Sequence, residues 1–251
     1  MAYSFNMKVA GESFAVSALY PQTERYCRNY LIDEPGTHYI EMTEQDIVKE
    51  REFFVQDAPG NDPSLSKAPG GFIENVALLR KIAEFFPAHR GMLVHGSAIA
   101  VDGKGYLFTA LSGTGKSTHT ALLRKLLGDR TQMVNDDKPI VRFAEDGIMI
   151  CGTPWMGKHC IGNNVMVPLC GIFFLRQSPD NELKKIEAAD ALPLLMCQSY
   201  RPDNAEDLFA TFDMVEEILN KVPMYDFGCN MDISAAELSS SVMKYKLNVR
   251  A

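Results

Sequence analysis

Short apolar runs broken by turns fill the first 56 residues: SFNMKVAG, SFAVSALYP and HYIEMT. Runs of this length between Gly, Pro, Asn and Asp read as β-strands, so strands are expected across residues 1–56. Residues 57–71, DAPGNDPSLSKAPGG, lose the apolar rhythm and are dense in turn formers. They mark the expected boundary between a small strand-rich region, residues 1–70, and a larger domain, residues 71–251. Ile73, Val76, Ala77, Arg80, Ala83 and Phe86 then recur at three- and four-residue spacing, which predicts a helix ending at Pro87. MLVHGSAIAV and YLFTA bracket the turn DGKG and predict an antiparallel hairpin. Its second arm runs into ALSGTGKS, and THTALLRKLLGD reads as a helix closed by Gly128. TQMVNDDK is a short strand ending in two acids, and PIVRF-AEDG-IMICG is a second hairpin. VPLCGIFFLR is a buried strand. IEAADALPLLMCQS, despite Pro193, and DNAEDLFATFDMVEEILN are helical, and PMYDFGC is a last strand. Ser234 and Glu237 have capping-box spacing for a terminal helix. Strands alternating with helices predict an α/β fold.

Composition narrows the partners more than the fold. The 251 residues carry a net charge of −7, which argues against a nucleic-acid-coating surface. No apolar run of about 18 residues is present, so no membrane partner is expected. The N-terminus lacks the basic start and apolar block of a signal peptide, and a cytoplasmic location is expected. The six cysteines, Cys27, Cys151, Cys160, Cys170, Cys197 and Cys229, form no CxxC pair. They read as mostly buried free thiols rather than a zinc site.

Candidate chemistry centres on Ser112-Gly113-Thr114-Gly115-Lys116-Ser117-Thr118. A phosphate loop turns successive main-chain N–H groups toward an anion and places a helix N-terminus behind them. A lysine reaches the outer phosphates, and a Ser or Thr hydroxyl ligates Mg²⁺. The segment fits the Walker A pattern GxxxxGK[ST] except at Ala110, which stands where the first glycine would be. That position closes the preceding strand, where alanine at negative φ costs little. His95-Gly96-Ser97 precedes the loop, and Asp136-Asp137 ends the strand that follows the loop's helix. Paired carboxylates beside bound phosphate suit a division of labour: one manages a divalent cation and one orients a hydroxyl and takes its proton.

In this order the motifs resemble the HPr kinase/phosphorylase and phosphoenolpyruvate carboxykinase superfamily. LSGTGKST is similar to the carboxykinase GLSGTGKTT, VHGSAI to the family's histidine strand, and VNDD to its acidic pair. The likeness is good from residue 92 to about 178 and loose elsewhere. It implies an α/β P-loop fold with a mixed sheet, in which an antiparallel hairpin leads into the P-loop. It also implies ATP and Mg²⁺, Asp136 as general base, Asp137 assisting Ser117 with the metal, and His95 beside the phosphate. The chain is too short for a whole carboxykinase, and the kinase's arginine-glycine signature is missing downstream of the acids. Gly152-Thr-Pro-Trp-Met-Gly-Lys-His159 stands there instead, similar to a loop of shorter HPr-kinase-related proteins.

In that loop Lys158 either neutralises charge on a moving phosphoryl group or sits in solvent, and Trp155 either fences the acceptor pocket or packs. His159 is open to either use, and Arg176 and Arg201 are further candidates to approach phosphate. The expected function is an ATP-dependent kinase acting on a Ser or Thr hydroxyl of a small protein, peptide or amino acid. A nucleotide-binding sensor, a carboxykinase-like enzyme or ATPase, and a scaffold that binds no nucleotide are the alternatives. The resemblance is compatible with a homo-oligomer.

Overall fold

The computed structural model describes residues 2–56 and 63–243. Residues 57–62 of the expected boundary loop therefore lie outside the described residues. The chain starts with a three-stranded sheet. β1 (Tyr3–Val9) and β2 (Glu12–Ala18) form an antiparallel pair, and β3 (His38–Glu41) lies parallel to β2. The strands expected here are present, but helices interrupt them: α1 (Pro21–Tyr26) and α2 (Glu44–Val55). Thr43 caps α2 in a reciprocal capping box with Asp46, a signature that overrides the mixed composition of the run.

α3 (Gly70–Phe85) ties this region together. Its buried Glu74 accepts from the Leu19 and Tyr20 main-chain N–H groups at 2.6 and 3.1 Å and from the Thr23 hydroxyl. Arg80 of α3 forms a two-pronged pair with the buried Glu50 of α2 at 2.7 and 2.9 Å. Removing either partner would leave a desolvated charge, which costs far more than an exposed pair contributes.

The larger sheet has the order β4-β8-β9-β10-β6-β5-β7, with β12 on β10 and β11 on β12. The strands are β4 (Gly91–Leu93), β5 (Ser97–Val101), β6 (Lys104–Thr109), β7 (Thr131–Asn135), β8 (Ile140–Ala144), β9 (Gly147–Cys151), β10 (Met166–Gln177), β11 (Glu182–Lys185) and β12 (Met224–Cys229). β10 is parallel to β6 and β12, and the other pairings are antiparallel. The sheet is thus mixed, and the fold is α/β. The hairpin β5–β6 does lead into the glycine loop. Its first arm is not the continuous strand expected from MLVHGSAIAV: the run breaks at Val94–Gly96, where β4 leaves to pair with β8.

Period-two alternation decides what covers each face. Ile99, Phe108, Phe173 and Phe227 meet α4 (Lys116–Leu127) and α7 (Ile233–Val242). Ala98, Leu107, Ile172 and Phe174 meet α5 (Ala188–Gln198) and α6 (Ala205–Lys221). Two elements correct the sequence expectation. Asp232, not Ser234, is the N-terminal residue before α7, and no side chain caps it. Among the six free thiols only Cys27 and Cys151 are buried, while Cys160 and Cys197 are exposed.

The loop's helix is anchored by His119, which lies among Phe108, Phe227 and Ser239. The Ser239 hydroxyl donates to the Ala236 carbonyl and so accepts from His119 Nε2–H at 3.0 Å. Burial lowers the imidazole pKa to about 4, against about 6.5 in an unfolded chain. The neutral ring's contribution is therefore complete above about pH 6.5 and is lost as pH falls toward 4. Urea midpoints measured across that window are expected to fall with pH in the native chain and to fall less steeply in His119→Gln. Equal slopes would contradict the assignment.

Candidate active site

β5 is antiparallel to both neighbours, so its start lies beside the ends of β6 and β7. Ser97 pairs with Phe108 and Ala98 with Asn135. That register brings His95, the glycine loop and the two acids to one edge of the sheet. Ala110 follows β6 without positive φ, as its side chain requires. Gly115 does need its freedom: it sits at φ +117 immediately before α4, a conformation that strains any side chain.

Lys116 is only 8% exposed, and its ammonium donates to the carbonyls of Ala110 at 2.8 Å and Leu111 at 3.2 Å. It is folded back onto its own loop. Burial lowers its pKa, opposed by Asp137 and Asp136, with Lys138 adding to the lowering. Lys116 and both carboxylates line the same cleft.

A chain of hydroxyls holds Asp136. Ser97 Oγ lies 2.6 Å from Asp136 Oδ1 and 2.9 Å from Thr120 Oγ1. Thr120 in turn reaches the Ser117 carbonyl at 3.2 Å. Strand β5, the acidic turn and the first turns of α4 thus share one buried network. Asn135 shapes that turn: its Oδ1 accepts the main-chain N–H groups of Asp137 and Lys138 at 2.8 and 2.7 Å. Its amide nitrogen donates to the carbonyl and hydroxyl of Thr153, both at 3.0 Å. The GTPWMGKH loop is thereby fastened behind the acids. Gly157 in that loop has φ +67, and a Cβ there would lie 3.1 Å from Asp137 Cβ.

Asp137 is the more open acid. His95 Nε2 lies 3.5 Å and Lys138 Nζ 3.9 Å from its Oδ1. Burial raises its pKa; Lys138 and Lys116 oppose this, and Asp136 adds to it. His95 is held neutral instead, its pKa lowered to about 4 by burial and by Lys138 and Lys116.

His95, Ser112, Gly113, Gly115, Lys116, Ser117, Thr118, Asp136, Asp137 and Lys158 line one cleft of about 450 Å³, together with Gly157 and His159. Thr114 instead faces an adjoining cavity of about 500 Å³, its hydroxyl donating to the Leu111 carbonyl at 2.9 Å. Trp155 is buried in the core against α3, with its indole N–H donating to the Asn75 carbonyl at 2.8 Å. It packs rather than fencing an acceptor. Arg176 is also elsewhere, paired with Glu182 and with Asp226 at 3.3 Å. Arg201 is exposed and lies outside the cleft. Sequence reasoning passed over Ser97, Thr120, Asn135 and Gln198. Ser97 and Asn135 lie within the quoted motifs without having been given a role, whereas nothing in the local pattern marks Gln198.

The donor set suits Mg²⁺ better than a softer ion. One hydroxyl and two carboxylates offer the oxygen ligands that Mg²⁺ prefers. Among the described residues no group of three or more His, Cys, Asp and Glu side chains forms a metal cage. Substrate oxygens would therefore have to complete the shell.

No protein-family model matches the sequence, and no curated protein does. Solved structures do match. One is the Hpr(Ser) kinase/phosphatase from Coxiella burnetii, 12% identical, with 61% of this chain and 88% of that chain covered at a TM-score of 0.35. A likeness of that size carries no functional argument, so function is argued from the cleft. No helix among the described residues is long and apolar enough to cross a membrane.

A carboxyl whose pKa is raised by the fold weakens the fold when it ionises. The penalty from Asp137 is absent below its ordinary value of 3.8 and complete once pH has risen past its raised value. Asp137→Asn is therefore expected to raise the Tm at neutral pH. The gain should shrink toward pH 4 in scanning calorimetry, and a lower Tm at neutral pH would contradict it.

Proposed function

We propose that the chain is a P-loop phosphotransferase that moves the γ-phosphoryl group of ATP to a Ser or Thr hydroxyl of a small protein, peptide or amino acid. One observation carries this reading. The anion cradle at the end of β6 and the two carboxylates at the end of β7 open into the same cleft. The nucleoside half fits the adjoining cavity, whose walls include Gly113, Thr114, Thr118, Pro179 and Met231. That cavity lies beyond the carboxyl ends of the parallel strands β6, β10 and β12, where α/β sheets receive ligands.

The loop amides and Lys116 bind the β and γ phosphates, and the ammonium gives up its two loop carbonyls to do so. Ser117 and Asp137 would hold Mg²⁺, which would neutralise phosphate charge. Asp136 accepts the proton of the acceptor hydroxyl as its oxygen attacks the γ-phosphorus. The bond from that phosphorus to the bridging oxygen breaks, and ADP leaves with the electron pair. Lys158, exposed at the rim, offers positive charge to the equatorial oxygens. Catalysis of this kind is positioning and electrostatics more than covalent chemistry.

A second division of labour has its own support. Asp136 is 7% exposed and already accepts from Ser97, whereas Asp137 is open, faces His95 and has the raised pKa. A carboxylate with raised pKa is the better proton acceptor. In that arrangement Asp137 takes the proton and Asp136 would serve the cation instead.

Calorimetric titration with Mg-ATP is expected to show binding that Lys116→Ala abolishes. Asp136→Asn should spare binding and lower transfer from γ-labelled ATP by about 100-fold, the scale of lost general-base catalysis. If Asp137→Asn takes the larger loss in rate while Asp136→Asn shifts the Mg²⁺ requirement, the second division holds. Binding without transfer to any acceptor would make the chain a nucleotide sensor, ADP release without acceptor an ATPase, and no binding would end the proposal.

A further inference from the structure

The end of α5 is stitched to the segment carrying His95. His95 N–H donates to the Gln198 carbonyl at 2.7 Å, and Tyr200 N–H to the Leu93 carbonyl at 2.9 Å. Val94 and Ser199 form an isolated antiparallel bridge. On the other side of His95, Thr109 Oγ1 donates to its carbonyl at 2.7 Å and Gly96 N–H donates to the Asp137 carbonyl at 3.0 Å. The backbone at His95 is therefore fixed from α5, β6 and the acidic turn together.

The side chains repeat the link. Gln198 Oε1 lies 3.1 Å from His95 Nδ1 in hydrogen-bond geometry. An amide oxygen only accepts, so Nδ1 carries the proton. The opposite nitrogen, Nε2, is 3.5 Å from Asp137 Oδ1, beyond the usual reach of an N–H···O bond. With Nδ1 protonated, the neutral ring presents a lone pair at Nε2 toward the carboxylate. Two acceptors then face each other across a gap that opens into the cleft.

We infer that Gln198 is a positioning residue that fixes the Nδ1–H tautomer of His95, leaving Nε2 as a hydrogen-bond acceptor beside Asp137. This rests on the phosphotransferase reading only for its use: the paired acceptors suit an incoming hydroxyl or a cation-bound water, each of which brings the hydrogen that this gap lacks. A histidine oriented by a side chain on its far nitrogen acts through that partner, and loss of such partners costs about 10–100-fold. The inference adds a residue outside every motif of the chain, on the last turn of a helix that does not line the cleft.

The test reads the tautomer directly. Protein labelled with ¹⁵N-histidine is examined near pH 7 by long-range ¹H–¹⁵N correlation, with His95 assigned by the signal missing in His95→Gln. The native chain is expected to show protonated Nδ1 and bare Nε2. Gln198→Leu should lose that preference, and Gln198→Glu, whose carboxylate still accepts from Nδ1–H, should keep it. In transfer assays kcat should fall about 10–100-fold in Gln198→Leu with KM for ATP within about twofold, and should recover in Gln198→Glu. A protonated Nε2 in the native chain overturns the inference, as does a folded Gln198→Leu with an unchanged His95 spectrum. Should the leucine variant not fold, the native and glutamate spectra decide. Absence of phosphoryl transfer by the native chain would sink the proposed function and leave the tautomer result standing.

Discussion

The site depends on the direction of one strand. β5 runs antiparallel to β6 on one side and to β7 on the other. Its first residues therefore meet the last residues of both, and three segments far apart in sequence share one edge. Had β5 been parallel to them, His95 and Ser97 would lie at the opposite end of the sheet. The small side chains of β5 make this work. Ala98 and Ala100 face one layer of helices while Ile99 and Val101 face the other, so the strand packs on both sides, and its pairing with β7 shifts register once, between Ala98 and Ile99.

The buried hydroxyl network converts that register into chemistry. Ser97 lies on the strand, Asp136 on the turn after β7, and Thr120 on the helix behind the loop. A carboxylate this deep is tolerated because it is hydrogen-bonded. The same burial opposes ionisation of the more open Asp137 and drives His95 toward neutrality. Desolvation thus pushes the two in directions that reduce charge on both. Such an arrangement is unfavourable for folding and suited to handling a proton.

How much of this was legible depended on how local each signal is. The glycine loop, the helix it opens and the closing Gly128 follow from short-range geometry, and their sequence pattern maps onto them directly. The acidic turn was legible as a strand end. Its shape was not, because Asn135 acts through a bond to Thr153, 18 residues away. Arg176 looked like a phosphate contact because an arginine after an apolar strand often lies near ligands; its partners on β11 and β12 could not be read before the pairing was known. Trp155 was ambiguous for the same reason, since Asn75 lies across the structure on α3. α1 and α2 were missed because their apolar positions are sparse. α2 buries only Ile47 and Glu50, so its helicity comes from its cap and from the Arg80 pair rather than from an apolar stripe.

The N-terminal region is more than an appendage to the cleft. Arg142 of β8 pairs with Glu12 of β2, Trp155 leans on α3, and Asn164 reaches the Asn29 carbonyl at 3.4 Å. All three contacts land on or beside the hairpin and loop that back the acids. Because Gly157 approaches Asp137 so closely, displacement of that loop would be felt at the carboxylate. Packing between the two sheets therefore sets the position of the GTPWMGKH loop, and the loop sets the space around Asp137. A substitution in the N-terminal core would then act on the cleft through this loop while leaving the glycine cradle, which rests on β6 and α4, in place.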